Sequence, residues 1–167
     1  MADLPAAISE NRTALARFEA AAAALPVECW ARPPAEGRWS PGQVVEHVAI
    51  SYEQASAALA GASTMPAIPR VIRPLVRWLL LSKILKTGRF PKGAKAPAGF
   101  APSATPPARD AGLARLRSAA AKFERDVESA RTEAIVHPVF GRLVVVDFVR
   151  LAAAHAVNHV RQLAEVR

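Results

Sequence analysis

The chain has 167 residues, of which 51% are hydrophobic and 6% aromatic, and its formal net charge is +8. This length is sufficient for one domain with its own buried core, so we expect a single domain over residues 1–167. The one cysteine, Cys29, excludes an internal disulfide and fits a reducing compartment. No secretory signal and no run of about 20 apolar residues is recognisable, so we expect a cytoplasmic protein.

Helical periodicity predicts two helices in the N-terminal third of the chain. The first covers residues 5–25, and the second begins at Ser40 and ends near Leu59. Residues 40–43, with the sequence SPGQ, have the pattern of a capping box with proline at the first helical position. On the second helix His47 lies among apolar positions at helical spacing, so we expect its side chain to face inward.

A strongly basic segment follows the second helix. Residues 70–95 contain eight basic residues and no acidic residue, whereas the remaining fourteen basic residues balance the fourteen acidic ones. We predict a basic helix over 70–86 and a long Pro- and Gly-rich loop over 88–107. Such a local field attracts anions, although the alternative is a solvated face that serves solubility. The candidate anion-binding residues are Arg70, Arg73, Arg77, Lys83 and Lys86.

Two further helices are predicted in the C-terminal half. An amphipathic helix covers residues 109–131, and the last helix covers residues 145–166. Between them, residues 143–146 have the β-branching of a strand, but their neighbours favour helix. We therefore predict a loop and a first helical turn there, with His137 capping or orienting the last helix.

Two of the four histidines lie four residues apart in the last helix, in the sequence HAVNH at 155–159. Residues at this spacing share one helix face, with their Cβ atoms about 5–6 Å apart. His155 and His159 can therefore converge on one metal ion, and His47 supplies a third nitrogen if the two helices pack together. Three imidazoles suit Zn²⁺, Ni²⁺ or another late divalent ion and leave a coordination position open. The alternative is three ordinary core or surface histidines, and the HExxH pattern is absent.

Several neighbouring side chains are candidates for supporting roles. Ser51 and Gln162 each follow one of these histidines by about one turn, so either can hydrogen-bond the second ring nitrogen of a ligand. Trp39 can line a pocket mouth or pack as core. Glu46 is a candidate general base, although it is turned about 100° around its helix from the neighbouring histidine.

Two blocks of the sequence resemble the signature regions of the DinB/YfiT-like superfamily: GRWSPGQVVEHVAISYE at 37–53 and HPVFGRLVVVDFVRLAAAHAVNHVRQL at 137–163. The shared features are the Trp-Ser-Pro opening, a histidine seven residues into the following helix, the His-Pro-x-Phe-Gly approach and the final H-x-x-x-H-x-x-Q-L. The helix order also agrees, whereas residues 64–107 exceed the compact core of that family.

The resemblance implies an all-α, up-down-down-up four-helix bundle, often dimeric, with the basic helix and Pro-rich loop inserted at about residues 64–107. It also implies a divalent metal ion held by His47, His155 and His159. Some members of the family are transferases or isomerases that use a low-molecular-weight thiol, and others are hydrolase-like. Because a fold does not determine a reaction, the resemblance supports the metal more strongly than any activity.

Two classes of function follow from these observations. The first is a metal-dependent enzyme, of the thiol-dependent transferase, isomerase or hydrolase type, that acts on a small, anionic substrate as a homodimer. The second is a non-catalytic binding module whose segment 70–95 contacts an acidic partner or an anionic membrane surface. Nucleic acid is not an expected partner, because no nucleic-acid-binding motif is recognisable.

Overall fold

The computed structural model describes residues 3–62, 69, 71–91, 96–97, 99–137 and 139–166. A 3₁₀ turn covers Val27–Cys29, and a π-helical turn, Arg77–Leu81, joins α3 to α4. Two short strands, β1 (Ala134–His137) and β2 (Gly141–Val144), precede the last helix. The helices are α1 (Leu4–Ala23), α2 (Pro41–Leu59), α3 (Arg73–Val76), α4 (Ser82–Thr87), α5 (Arg109–Ser129) and α6 (Val145–Leu163).

The four long helices form the predicted bundle around one hydrophobic core. Helix α1 packs against α6 and α2 packs against α5, while α2 also contacts α6. The core between them contains Phe18, Leu116, Phe123 and Val149, all of which are almost completely buried. The contact between α2 and α6 matters most for function, because it places the helix of His47 beside the helix of the other two histidines.

Helix α2 begins with the predicted capping box. Ser40 Oγ accepts a hydrogen bond from the Gln43 amide at 3.3 Å, and Gln43 Oε1 accepts one from the Ser40 amide at 2.9 Å. Pro41 occupies the first helical position, where the missing N–H costs nothing, and the helix ends at Leu59 as predicted. These local contacts fix the phase of α2, so that His47 faces inward with 6% of its surface exposed.

The predicted basic helix is present as α3, the π-helical turn and α4. We call residues 71–87 the basic segment. Leu81 and Ile84 anchor its inner face in the core, and the Arg161 guanidinium of α6 donates to the Gly88 carbonyl at 2.8 Å. Gly88 ends the segment in the left-handed conformation, with φ of 58°. None of the helices in the described ranges is both long and apolar enough to cross a bilayer.

The prediction of a loop at residues 143–144 is wrong. Residues Gly141–Val144 form β2 and pair in antiparallel register with Ala134–His137. The β-branching correctly indicated a strand, but its partner lies across a turn and was not recognised from the sequence. Gly141, with φ of 69°, adopts the backbone conformation that opens this strand after the turn. Residues 145–146 form the first turn of α6, as predicted.

His137 stabilises the hairpin turn rather than the last helix. Its Nδ1 accepts hydrogen bonds from the amides of Val139 and Phe140 at 3.2 and 3.3 Å, and its ring stacks on that of Phe140. The side chain is buried, and desolvation lowers its pKa to about 4. The neutral imidazole is thus a fixed acceptor in the turn, which corrects the predicted capping role.

Candidate metal centre

Three of the four histidines meet between α2 and α6. The Nε2 atom of His155 lies 3.2 Å from Nε2 of His47 and 3.0 Å from Nε2 of His159. One ligand nitrogen from each ring lies within 4.8 Å of the others. The rings of His47 and His159 stand at 71° and 85° to that of His155, so ring edges rather than ring faces converge.

These distances fit a divalent ion. Nitrogen atoms bound tetrahedrally at about 2.0–2.1 Å to one ion stand about 3.3 Å apart. The two short Nε2–Nε2 distances, 3.2 and 3.0 Å, are close to that value. The three imidazoles from two helices are therefore close enough together to hold one ion.

Hydrogen bonds behind two of the rings determine where their lone pairs point. His47 Nδ1 lies 2.7 Å from the Phe100 carbonyl oxygen, and His159 Nδ1 lies 2.8 Å from Gln162 Oε1. Because both partners are acceptors, each Nδ1 carries the proton and each Nε2 presents a lone pair. Both lone pairs face Nε2 of His155, whose single N–H could satisfy only one of them. A cation held by His47, His155 and His159 would satisfy all three nitrogens.

Burial keeps the three imidazoles in the neutral, ligating form. Desolvation lowers the pKa of His47, and it lowers the pKa of His159 to about 4 with a further contribution from His47. The pKa of His155 lies well below its usual value, first through desolvation and then through the two neighbouring histidines. No proton has to leave these side chains before a metal binds at neutral pH.

Aromatic rings flank the histidines on two sides. The ring centroid of Trp39 lies 4.7 Å from that of His47, and the centroid of Phe90 lies 5.4 Å from that of His155. Trp39 was predicted to line a pocket mouth or to pack as core, whereas Phe90 follows the basic segment and has no sequence signal that places it here. His155 is the most exposed of the three histidines, since His47 and His159 are both buried.

The predicted support of ring nitrogens is present at Gln162 but not at Ser51. The Ser51 hydroxyl donates to the backbone carbonyl of His47 at 2.8 Å, so its hydrogen bond goes to the helix backbone and not to the imidazole ring. The acceptor at the His47 ring is the carbonyl of Phe100, which lies 53 residues further along the chain. Local spacing could not reveal this partner, because a loop brings it in.

That loop, residues 99–107, lies across α2, and we call it the strap. Gln43 Nε2 donates to the carbonyls of Ser103 and Ala104 at 3.0 and 3.1 Å. At the end of the strap, Trp30 Nε1 donates to the Pro107 carbonyl at 2.9 Å. The strap therefore holds the carbonyl that orients His47.

Glu46 anchors the middle of the strap. Its buried carboxylate accepts hydrogen bonds from the Ser103 amide at 3.0 Å and the Ser103 hydroxyl at 2.7 Å. Arg115 of α5 lies 3.3 Å from the same carboxylate. These contacts give Glu46 a structural role, and its role as a general base stays a prediction.

Replacing Glu46 with glutamine is expected to lower the free energy of unfolding by about 1–3 kcal/mol, because a buried, hydrogen-bonded charge is lost. Glu53→Gln on the same helix is the matched control. Glu53 also binds Arg115 but is 40% exposed, so its loss should cost less than about 1 kcal/mol. Urea unfolding of the two variants measures the difference, and equal losses would contradict the anchoring role.

The predicted anion-binding residues are only partly accounted for. Arg70 lies outside the described residues. Arg77 donates to the carbonyl of Arg142 in β2, and Arg73 packs beside Gly141. The remaining two, Lys83 and Lys86, are exposed on α4. A shared anion site formed by these side chains stays a prediction.

The fold and the site together describe a helical-bundle protein with a candidate metal centre, because two of its helices bring three histidines together. The chain belongs to the DinB superfamily, whose profile matches residues 10–163. This match confirms the resemblance found in the two sequence blocks.

The fold is also similar to that of a protein of known crystal structure, TT2238, described as a four-helix bundle protein. The TM-score is 0.59 and the identity 22%, over 97% of this chain and 98% of that chain. At this identity the likeness shows the fold alone. A search of curated proteins finds no match to this chain.

Proposed function

We propose that the protein is a metal-dependent enzyme whose divalent ion is held by His47, His155 and His159. The observation that carries the proposal is the convergence of the three Nε2 atoms, with the carbonyl of Phe100 and the amide oxygen of Gln162 placed at the Nδ1 atoms of two of the rings. Membership of the DinB superfamily supports it. A Zn²⁺ or Ni²⁺ ion at this position would supply Lewis acidity, which lowers the pKa of a coordinated water or thiol.

The surrounding residues perform three tasks in this proposal. Phe100 and Gln162 hold two imidazoles in the tautomer that ligates. Trp39 and Phe90 place apolar rings against the histidines and limit the access of water. The half-buried side of His155 admits the substrate.

The substrate proposed is small and anionic, and a low-molecular-weight thiol is the proposed cosubstrate. The support is the excess of positive charge over residues 70–95, since thiols of this kind carry carboxylates. Imidazole ligands alone do not distinguish zinc from nickel, because both ions bind them. The homodimer and the cytoplasmic location stay predictions from the sequence.

Elemental analysis of protein purified without a histidine tag tests the metal. About one equivalent of zinc or nickel per chain is expected, and anomalous scattering at the absorption edge should place it between the three rings. A tag-free protein that contains no metal and takes up neither ion in titration would remove the centre. Turnover is tested separately, by following the loss of free thiol when the metal-loaded protein is mixed with a panel of small thiols and electrophiles.

A further inference from the structure

The basic segment has apolar side chains on two opposite faces. Its inner face is anchored in the core by Leu81 and Ile84. Five large hydrophobic side chains point outward and are between 43% and 86% exposed. These side chains, which we call the outer stripe, are Val71, Ile72, Leu75, Trp78 and Leu79. Leu75 precedes Trp78 and Leu79 by three and four residues on the helical part of the segment, which places these three side chains side by side, and Val71 and Ile72 lie in the turn directly before α3.

The outer stripe is unusual among the described residues. Of the seven exposed large hydrophobic side chains found there, five belong to this stripe, and the other two are Val27 and Val136. Single exposed hydrophobic residues need no explanation, but a contiguous patch marks a surface that another body covers. Helices that are apolar around much of their circumference are typically buried on each apolar face, so we expect the outer face of this segment to have a partner.

The charge around the stripe indicates what covers it. Lys83, Lys86 and Arg89 are exposed on the same segment or directly after it, and the sequence contains no acid between Glu53 and Asp110. One acidic residue of another element lies near the basic segment: Asp147 of α6 lines a shallow groove together with Arg77 and Trp78. A symmetric contact between two copies of the chain would set this basic row against itself, which is unfavourable. The partner should therefore be both apolar and anionic.

We propose that the outer stripe docks the protein onto the surface of an anionic membrane. The apolar side chains enter the boundary between headgroups and acyl chains, and the neighbouring lysines and arginine contact the headgroups. The indole of Trp78, 71% exposed, suits this boundary because its ring is amphipathic. The contact is peripheral, in keeping with the absence of a bilayer-spanning helix from the described residues.

Flotation of the full, metal-loaded chain with vesicles tests the proposal. We expect binding to phosphatidylcholine vesicles that contain roughly 30% phosphatidylglycerol at about 0.1 M salt. Binding to phosphatidylcholine alone should be at least about tenfold weaker, because the basic residues lose their partner. Absence of binding to the anionic vesicles would overturn the proposal.

The double variant Leu75→Ser/Trp78→Ser removes the centre of the stripe without touching the core. It should bind anionic vesicles at least about tenfold more weakly, with an unchanged melting temperature and metal content. Val136→Ser on β1 is the matched control, since Val136 is also 71% exposed, and it should bind like the unmodified protein. Equal binding of the double variant would overturn the proposal. So would a dimer in light scattering that the double variant dissociates while flotation is unaffected, because a second copy would then cover the stripe.

Discussion

Replacing His155 with alanine is expected to reduce bound metal from about one equivalent per chain to less than about a tenth. Nε2 of His155 lies 3.2 Å from Nε2 of His47 and 3.0 Å from Nε2 of His159, so it is the nitrogen atom close to both of the others. Without it only one nitrogen from each helix remains. The affinity for zinc, measured by competition with a chromophoric chelator, should fall at least about 100-fold.

The fourth histidine provides the matched control for this variant. His137 is buried like the others but accepts hydrogen bonds in the hairpin turn, so His137→Asn should keep its full complement of metal. Addition of a chelator should lower the melting temperature of the unmodified protein and of His137→Asn, but not that of His155→Ala, because only a bound ion stabilises by linkage. Full metal content in His155→Ala would refute the site.

Lowering the pH from about 6.5 to about 4 is expected to remove about 3 kcal/mol of stability through His137 alone. Desolvation lowers the pKa of this residue to about 4 in the folded protein, whereas an unfolded histidine titrates near its ordinary value. The unfolded state therefore takes up the proton first as the pH falls. The contribution of neutral His137 is complete above the unfolded pKa and is lost progressively down to the folded one. Protonation also removes the acceptor for the amides of Val139 and Phe140.

Urea unfolding at both ends of this pH window, with a chelator present, measures the effect. His137→Asn is the informative variant, because an asparagine oxygen can accept the same two amides and does not titrate. Its free energy of unfolding should fall by about 2–3 kcal/mol less over the window than that of the unmodified protein. The other three histidines are present in both proteins, so their contribution cancels. Identical pH dependence would show that His137 does not titrate as proposed.

The sequence by itself determined the features that depend on near neighbours. The capping box at residues 40–43 predicts the start of α2, because its hydrogen bonds join residues three apart. The helical period predicts that His47 faces the core, and the four-residue spacing puts His155 and His159 on one face. The same periodicity predicts an amphipathic helix over 109–131, and the buried face of α5 contains Leu113, Leu116, Phe123 and Val127.

Only the tertiary structure decided the features that join distant parts of the chain. The strap carries the Phe100 carbonyl to His47, Phe90 reaches His155 from the end of the basic segment, and Glu46 faces Ser103. The hairpin of β1 and β2 was missed because a strand forms only with a partner strand, and no local sequence pattern identified that partner. The exposure of the outer stripe was equally hidden, since leucine and tryptophan at helical spacing predict a helix but not which of its faces the bundle covers. Packing between helices settles such questions, because it depends on which surfaces meet in space rather than on their order in the chain.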